Sequence, residues 1–177
     1  MTNAKLKRFV YLAVFSILAL GLLILQSTGL ATFKIGNASA VLMLPLTILA
    51  GFYFREYTGA VFGIVFGALT DVYSSTICYN TVALAIAGFV SGLLVSRLFN
   101  SNLAAVSVLS FGGSVLYFFF KWLIIYAFYD PLPGYILLHF IIPSTVYTAL
   151  CGILIFFVLH PIFRKIPIIE KNTDYDW

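Results

Sequence analysis

Charge is spaced along this 177-residue chain in a way that only a lipid-facing fold explains. Nothing formally charged lies between Arg8 and Lys34, and further uncharged stretches run from Ile35 to Phe54, Tyr57 to Thr70, Val72 to Ser96, Leu98 to Phe120 and Pro131 to Phe163. A membrane-crossing helix needs about 20 mostly apolar residues, and most of these gaps supply them. The chain is 62% hydrophobic and 9% charged, whereas a soluble domain carries about 25% charged residues. So few charges cannot cover a water-exposed surface, so the bilayer is the solvent for most of the chain. The gaps predict an all-α integral membrane protein, a compact bundle of six transmembrane helices near 9–26, 39–55, 57–71, 79–98, 103–128 and 138–160. The third has the shortest apolar run. Little chain is left outside, which predicts a single transmembrane domain over 1–177 and leaves no room for a soluble catalytic domain.

Basic residues orient the bundle, because cytoplasmic loops carry an excess of Lys and Arg. With six spans and the N-terminus inside, Lys5, Lys7, Arg8, Arg55, Arg97, Arg164, Lys165 and Lys171 are cytoplasmic. Lys34 alone falls in an outer loop, and Lys121 lies within the fifth helix. An odd number of spans would send the basic tail outside and weaken the bias. Residues 1–8 and 161–177 are therefore expected to be cytoplasmic. The basic face suits anionic headgroups and is too scattered to read as a nucleic-acid surface. "NASA" at 37–40 resembles a signal-peptidase site, but it lies well beyond an apolar run long enough to span, so the first helix is read as uncleaved.

One stretch, "GAVFGIVFGALTD" at 59–71, concentrates residues that are awkward in lipid. In a helix every fourth residue advances about 40°, so Gly59, Gly63, Gly67 and Asp71 share one slowly winding stripe. Small residues let helix backbones approach where lipid gives no hydrophobic drive. Gly88, Gly92 and Ser96 form a second stripe, and Ser144, Thr148 and Gly152 a third, more polar one. The stripes read either as packing inside the bundle or as a surface for another protein. Asp71 lies roughly 21 Å along its helix, in the outer half of the membrane, where it is either a solvated helix end or a buried acid bound to a partner group. Lys121, roughly 27 Å along the fifth helix, is a candidate for an intramembrane polar pair with Asp71. Its alternative is snorkelling to headgroup level beside Trp122, Tyr126 and Tyr129.

Other features punctuate rather than catalyse. Arg55-Glu56 makes a very short turn, "DPLPG" at 130–134 ends the fifth helix, and Pro45 is expected to kink the second. Pro143 falls near the start of the sixth helix, which tolerates it or kinks. Cys78 and Cys151 form no metal or redox pattern and read as small apolar residues. No nucleophile triad, phosphate loop or metal motif can be assembled, and no cofactor is implied.

From Leu25 to Asn102 the chain resembles the rod shape-determining MreD family. "LQST" at 25–28 closes the first helix, Pro45 opens an apolar helix ending in a short charged turn, and "GAVFGIVFGALTD" leads glycines into an aspartate. A polar loop and a glycine-bearing helix ending in "GFVSGLLVSRLF" follow. The loop departs from the family at Cys78, where many members have a glycine nearby. The resemblance implies a non-enzymatic inner-membrane component of the bacterial cell-elongation machinery. Its implied partners are an MreC-like membrane protein, a RodA-type glycosyltransferase with a class B penicillin-binding transpeptidase, and, indirectly, the MreB filament. It also implies a fold similar to the S components of energy-coupling-factor vitamin transporters. That likeness supplies a competing reading, a vitamin-binding protein with an outer pocket drawn from Asp71, Ser74, Ser75, Asn80, Lys121 and His139. A third reading, a proton-coupled carrier, requires Asp71 to titrate.

Overall fold

The structure is a computed structural model that describes residues 3–27, 39–74, 78–97, 103–126 and 133–163. All regular structure among the described residues is helical: α1 (Asn3–Ser27), α2 (Met43–Phe54), α3 (Glu56–Ser74), α4 (Tyr79–Arg97), α5 (Leu103–Lys121), α6 (Pro133–Ile136) and α7 (Ile142–Phe163). A π-helical turn, Trp122–Tyr126, extends α5, and a second, Leu137–Ile141, joins α6 to α7 in one rod. Three helical segments are long and apolar enough to cross a membrane: Phe9–Gln26, Ala105–Ile124 and Gly134–Ile162. The expected fifth helix thus ends earlier as an α-helix, and the sixth begins earlier, than the apolar pattern implies. Proline explains the second π-turn. Pro143 has no N–H for the carbonyl one turn back, and a π-helical turn just before it loosens that register.

A short helix, α2, lies at the centre. Every residue of the 12-residue α2 is buried, as expected of a helix that is hydrophobic all round. It packs against α3, α4, α5 and α7. At 1.5 Å per residue α2 is only about 18 Å long, and its first N–H groups lie inside the protein, where water is not at hand to satisfy them. Within the helix start, the Leu44 N–H turns back to Val41 O at 3.2 Å, and the residues leading into α2 are held by side chains from two other helices. The N–H of Ser39 donates to Ser144 Oγ at 3.1 Å, that of Val41 to Thr148 Oγ1 at 3.1 Å, and that of Leu42 to Gln26 Oε1 at 3.0 Å. The polar stripe of α7 is therefore a clamp for the entry to α2, and Gly152 below it lets Pro45 and Ser110 approach. Pro45 is the third residue of α2, where its missing N–H had no intrahelical partner to lose. It opens the helix, and the expected kink is not needed.

The most extensive helix pairing is between α3 and α4. They run antiparallel with backbones in contact. A Cβ built on Gly59 would meet Gly88 O at 2.5 Å, on Gly63 Ala85 Cα at 2.6 Å, and on Gly67 Thr81 Cα at 2.5 Å. From the other side, a Cβ on Gly88 would meet Gly59 C at 2.6 Å and one on Gly92 would meet Glu56 Cα at 2.5 Å. Gly51 of α2 joins the seam, its added Cβ falling 2.9 Å from Gly92 N. The glycine stripe is internal packing, with Gly59, Gly63 and Gly67 buried on one face of α3. By contrast α1 touches the bundle through a narrow stripe, Phe15, Ala19 and Leu23. Phe15 sets its ring edge against Phe54 and Phe62, with centroids 5.5 Å and 5.3 Å away.

The seam forces an abrupt turn. One residue, Arg55, joins α2 to α3 with φ 78° and ψ 172°, a region that is essentially glycine's own. Its N–H donates to Gly51 O at 3.1 Å and its carbonyl accepts from Gly59 N–H at 2.9 Å.

Three substitutions have definite outcomes for thermal unfolding in detergent. Gly63→Ala drives a methyl into the backbone of α4 and is expected to destabilise by about 1–3 kcal/mol, the usual cost of overpacking. Gly21→Ala, which meets nothing within 4 Å, is expected to leave the transition unchanged or slightly raised. Arg55→Gly relieves the turn and is expected to stabilise by about 1 kcal/mol; a lowered melting temperature would show that the turn is not strained.

Candidate functional site

Where α3 ends and α4 begins, polar residues collect at one end of the bundle. Asp71 is buried at 8% exposure, which settles its sequence-level alternatives: it is a buried acid, not a wet helix end. An ionised carboxylate survives burial only when its oxygens are satisfied. Oδ1 accepts the Asn80 N–H at 3.0 Å, and Oδ2 accepts the Thr81 N–H at 2.8 Å and the Thr81 hydroxyl at 2.6 Å. These N–H groups belong to the first turn of α4, which lacks intrahelical acceptors and carries the positive end of the helix dipole. Asp71 is thus a cap supplied in trans, from the end of α3 to the start of α4.

Local backbone geometry creates the need for it. Cys78, just before α4, has φ 53°, and its carbonyl accepts the Val82 N–H at 3.2 Å. The left-handed conformation at Cys78 is one that glycine adopts without cost.

The cap is the start of a network across three helices. Asn80 donates through Nδ2 to Ser74 Oγ at 3.2 Å, and its Oδ1 accepts the Tyr117 hydroxyl from α5. The Tyr79 hydroxyl donates back to the Tyr117 carbonyl at 2.5 Å, and the two rings lie 5.4 Å apart. Lys121 stands one turn beyond Tyr117, partly buried, and makes no hydrogen bond or ion pair with a described residue, Asp71 included. The expected polar pair is therefore not formed. Asp71 has the N-terminus of α4 as its partner, and Lys121 stands apart.

The residues that complete this arrangement were not singled out by spacing. Tyr79, Thr81 and Tyr117 look like ordinary apolar-helix residues, and Gln26 stands out only as part of "LQST". The only available signal was polar residue types placed near helix ends. His139 is exposed and stacks on Tyr135 at 4.2 Å. Ser75, the remaining outer-pocket candidate, lies outside the described residues. Among the described residues no cluster of His, Cys, Asp and Glu could hold a metal ion.

Beside the network, α4 and α5 diverge around a cleft of about 650 Å³. Val82, Ile86 and Val90 line one wall, and Gly112, Leu116 and Phe120 the other. Ile48 of α2 also lines it, and Tyr79 and Tyr117 stand at its polar end. A Cβ on Gly112 would meet nothing within 4 Å, so this glycine leaves space instead of closing a contact. The chain matches no protein-family description, no curated protein and no solved structure.

Removal of the cap separates the two polar residues experimentally. Asp71→Ala orphans buried N–H groups at about 1–3 kcal/mol each and is expected to lower the melting temperature more than Asp71→Asn. Lys121→Met is expected to leave the melting temperature where it was. If Lys121→Met destabilises as much as Asp71→Ala, the two residues share one interaction after all.

Proposed function

We propose that this chain is a non-enzymatic, MreD-like component of the bacterial cell-elongation machinery. In this reading it crosses the inner membrane six times with both termini in the cytoplasm. It serves as a scaffold for an MreC-like membrane protein, and through it for a RodA-type glycosyltransferase with its class B penicillin-binding transpeptidase and the MreB filament.

One observation carries the reading. The residues on which the resemblance rests each have a duty particular to this architecture. Gln26 of "LQST" holds the entry to α2, Pro45 opens α2, the glycines of "GAVFGIVFGALTD" seat α3 on α4, and its aspartate caps α4. A set of residues that act jointly in one fold is a more specific signature than a glycine stripe alone. The vitamin-binding alternative calls for a polar pocket. None of its described candidates, Asp71, Ser74, Asn80, Lys121 and His139, lines the cleft, whose walls are apolar. The carrier alternative calls for an Asp71 free to exchange protons, whereas its oxygens accept three hydrogen bonds.

The test is purification of the full chain from native membranes in mild detergent. An MreC-like protein and wall-synthesis enzymes are expected to co-purify. Recovery of the chain alone, together with thermal stabilisation by a member of a vitamin panel, would replace the scaffold reading with the substrate-binding one.

A further inference from the structure

The cleft between α4 and α5 has a shape, a chemistry and a neighbour that together define an occupant. Its walls run from Tyr79 to Leu94 on α4 and from Leu109 to Ile124 on α5, about 22 Å on each helix at 1.5 Å per residue. That exceeds the ~15 Å depth of one leaflet of a ~30 Å hydrocarbon core. The lining is apolar apart from Ser91 and the two tyrosines. Ser91 already donates to Ile48 O at 3.1 Å and Gly88 O at 2.9 Å, and both tyrosine hydroxyls donate within the network. No polar ligand finds a ready partner along the walls.

Volume separates the apolar occupants. A helix of about 10 Å diameter over the same ~22 Å fills roughly 1,700 Å³, far more than the 650 Å³ of the cleft. At about 30 Å³ per carbon, close to a water molecule's share of liquid volume, a chain of about sixteen carbons fills roughly 480 Å³. The cleft fits one hydrocarbon chain and is too slight to bury a partner helix.

Charge narrows the choice further. Lys121 sits between Phe120 and Ile124, two lining residues, at the end of the cleft marked by Tyr79 and Tyr117. It has no hydrogen-bond or ion-pair partner among the described residues. A cation within an apolar helix demands an anion or a route to the interface. Trp122 follows it directly, a residue type that prefers headgroup level.

We propose that the α4–α5 cleft retains one acyl chain of an anionic membrane lipid, whose acidic headgroup is held by Lys121. The bound lipid completes the α4–α5 contact that the protein leaves open and gives the basic side chain its counter-ion. This inference rests on the chain residing in a membrane and is independent of which proteins it assembles with.

Native mass spectrometry of the full chain in detergent, titrated with phosphatidylglycerol or with phosphatidylcholine of the same chains, tests it. A one-to-one adduct with phosphatidylglycerol is expected to outlast the phosphatidylcholine adduct. Lys121→Met is expected to reduce phosphatidylglycerol retention about fivefold, the effect of one basic residue near an anionic headgroup, while Lys121→Arg restores it. Gly112→Leu, which fills the cleft where a Cβ meets no neighbour, is expected to abolish retention of either lipid without shifting the melting temperature. Val82→Phe blocks the opposite wall and serves the same purpose should Gly112→Leu not fold. Equal retention of both lipids by the wild type and Lys121→Met would overturn the headgroup assignment. Undiminished retention by both cleft-filling variants would overturn the cleft as the site. A second protein chain lost on cleft filling, in place of lipid, would assign the surface to a protein partner instead.

Discussion

The direct backbone contact between α3 and α4 is the constraint on which the rest of this structure depends. In lipid, helices gain little by hiding apolar side chains from one another, so closeness itself must supply the attraction. Gly59, Gly63 and Gly67 on one side and Gly88 and Gly92 on the other remove the Cβ from at least one helix at each point of close approach. With α3 and α4 at this distance, Asp71 reaches across to the first turn of α4. The same closeness brings Gly51 against Gly92 and compresses the α2–α3 connection to the single residue Arg55.

Satisfaction of polar backbone groups is the second theme. Two helices start inside the protein, and each start is fixed from elsewhere: the first turn of α4 by Asp71, and the residues leading into α2 by Gln26, Ser144 and Thr148. These side chains come from α3, α1 and α7, so every one of these polar contacts is also a tertiary tie. That arrangement lets a 12-residue helix sit wholly buried at the centre. Beside the α4 start lie an apolar cleft and one basic side chain.

A scaffold reading suits this division. Asp71, Asn80 and Tyr117 fasten helices together instead of facing a pocket, and beside them lie an apolar cleft and Lys121. The functional residues in such a protein are legible as residue types but not as roles. Asp71 stood out at once, because an acid among apolar residues is costly. Its partner did not, because the orphan N–H groups of a helix start carry no mark in the side-chain alphabet.

By itself the sequence determined the helical class and the small-residue faces, because those follow from residue spacing and the cost of polar groups in lipid. It marked Pro45 and Pro143 as interruptions, but whether each kinked a helix or opened one depended on where the first hydrogen-bonded turn fell. Only the tertiary structure decided that the glycine stripe is buried within the bundle, that the 12-residue α2 is the central helix, and that Asp71 pairs with a helix terminus while Lys121 stands beside a cleft. Those outcomes depend on which faces meet across long separations in the chain, and periodicity along a single helix says only that a face exists.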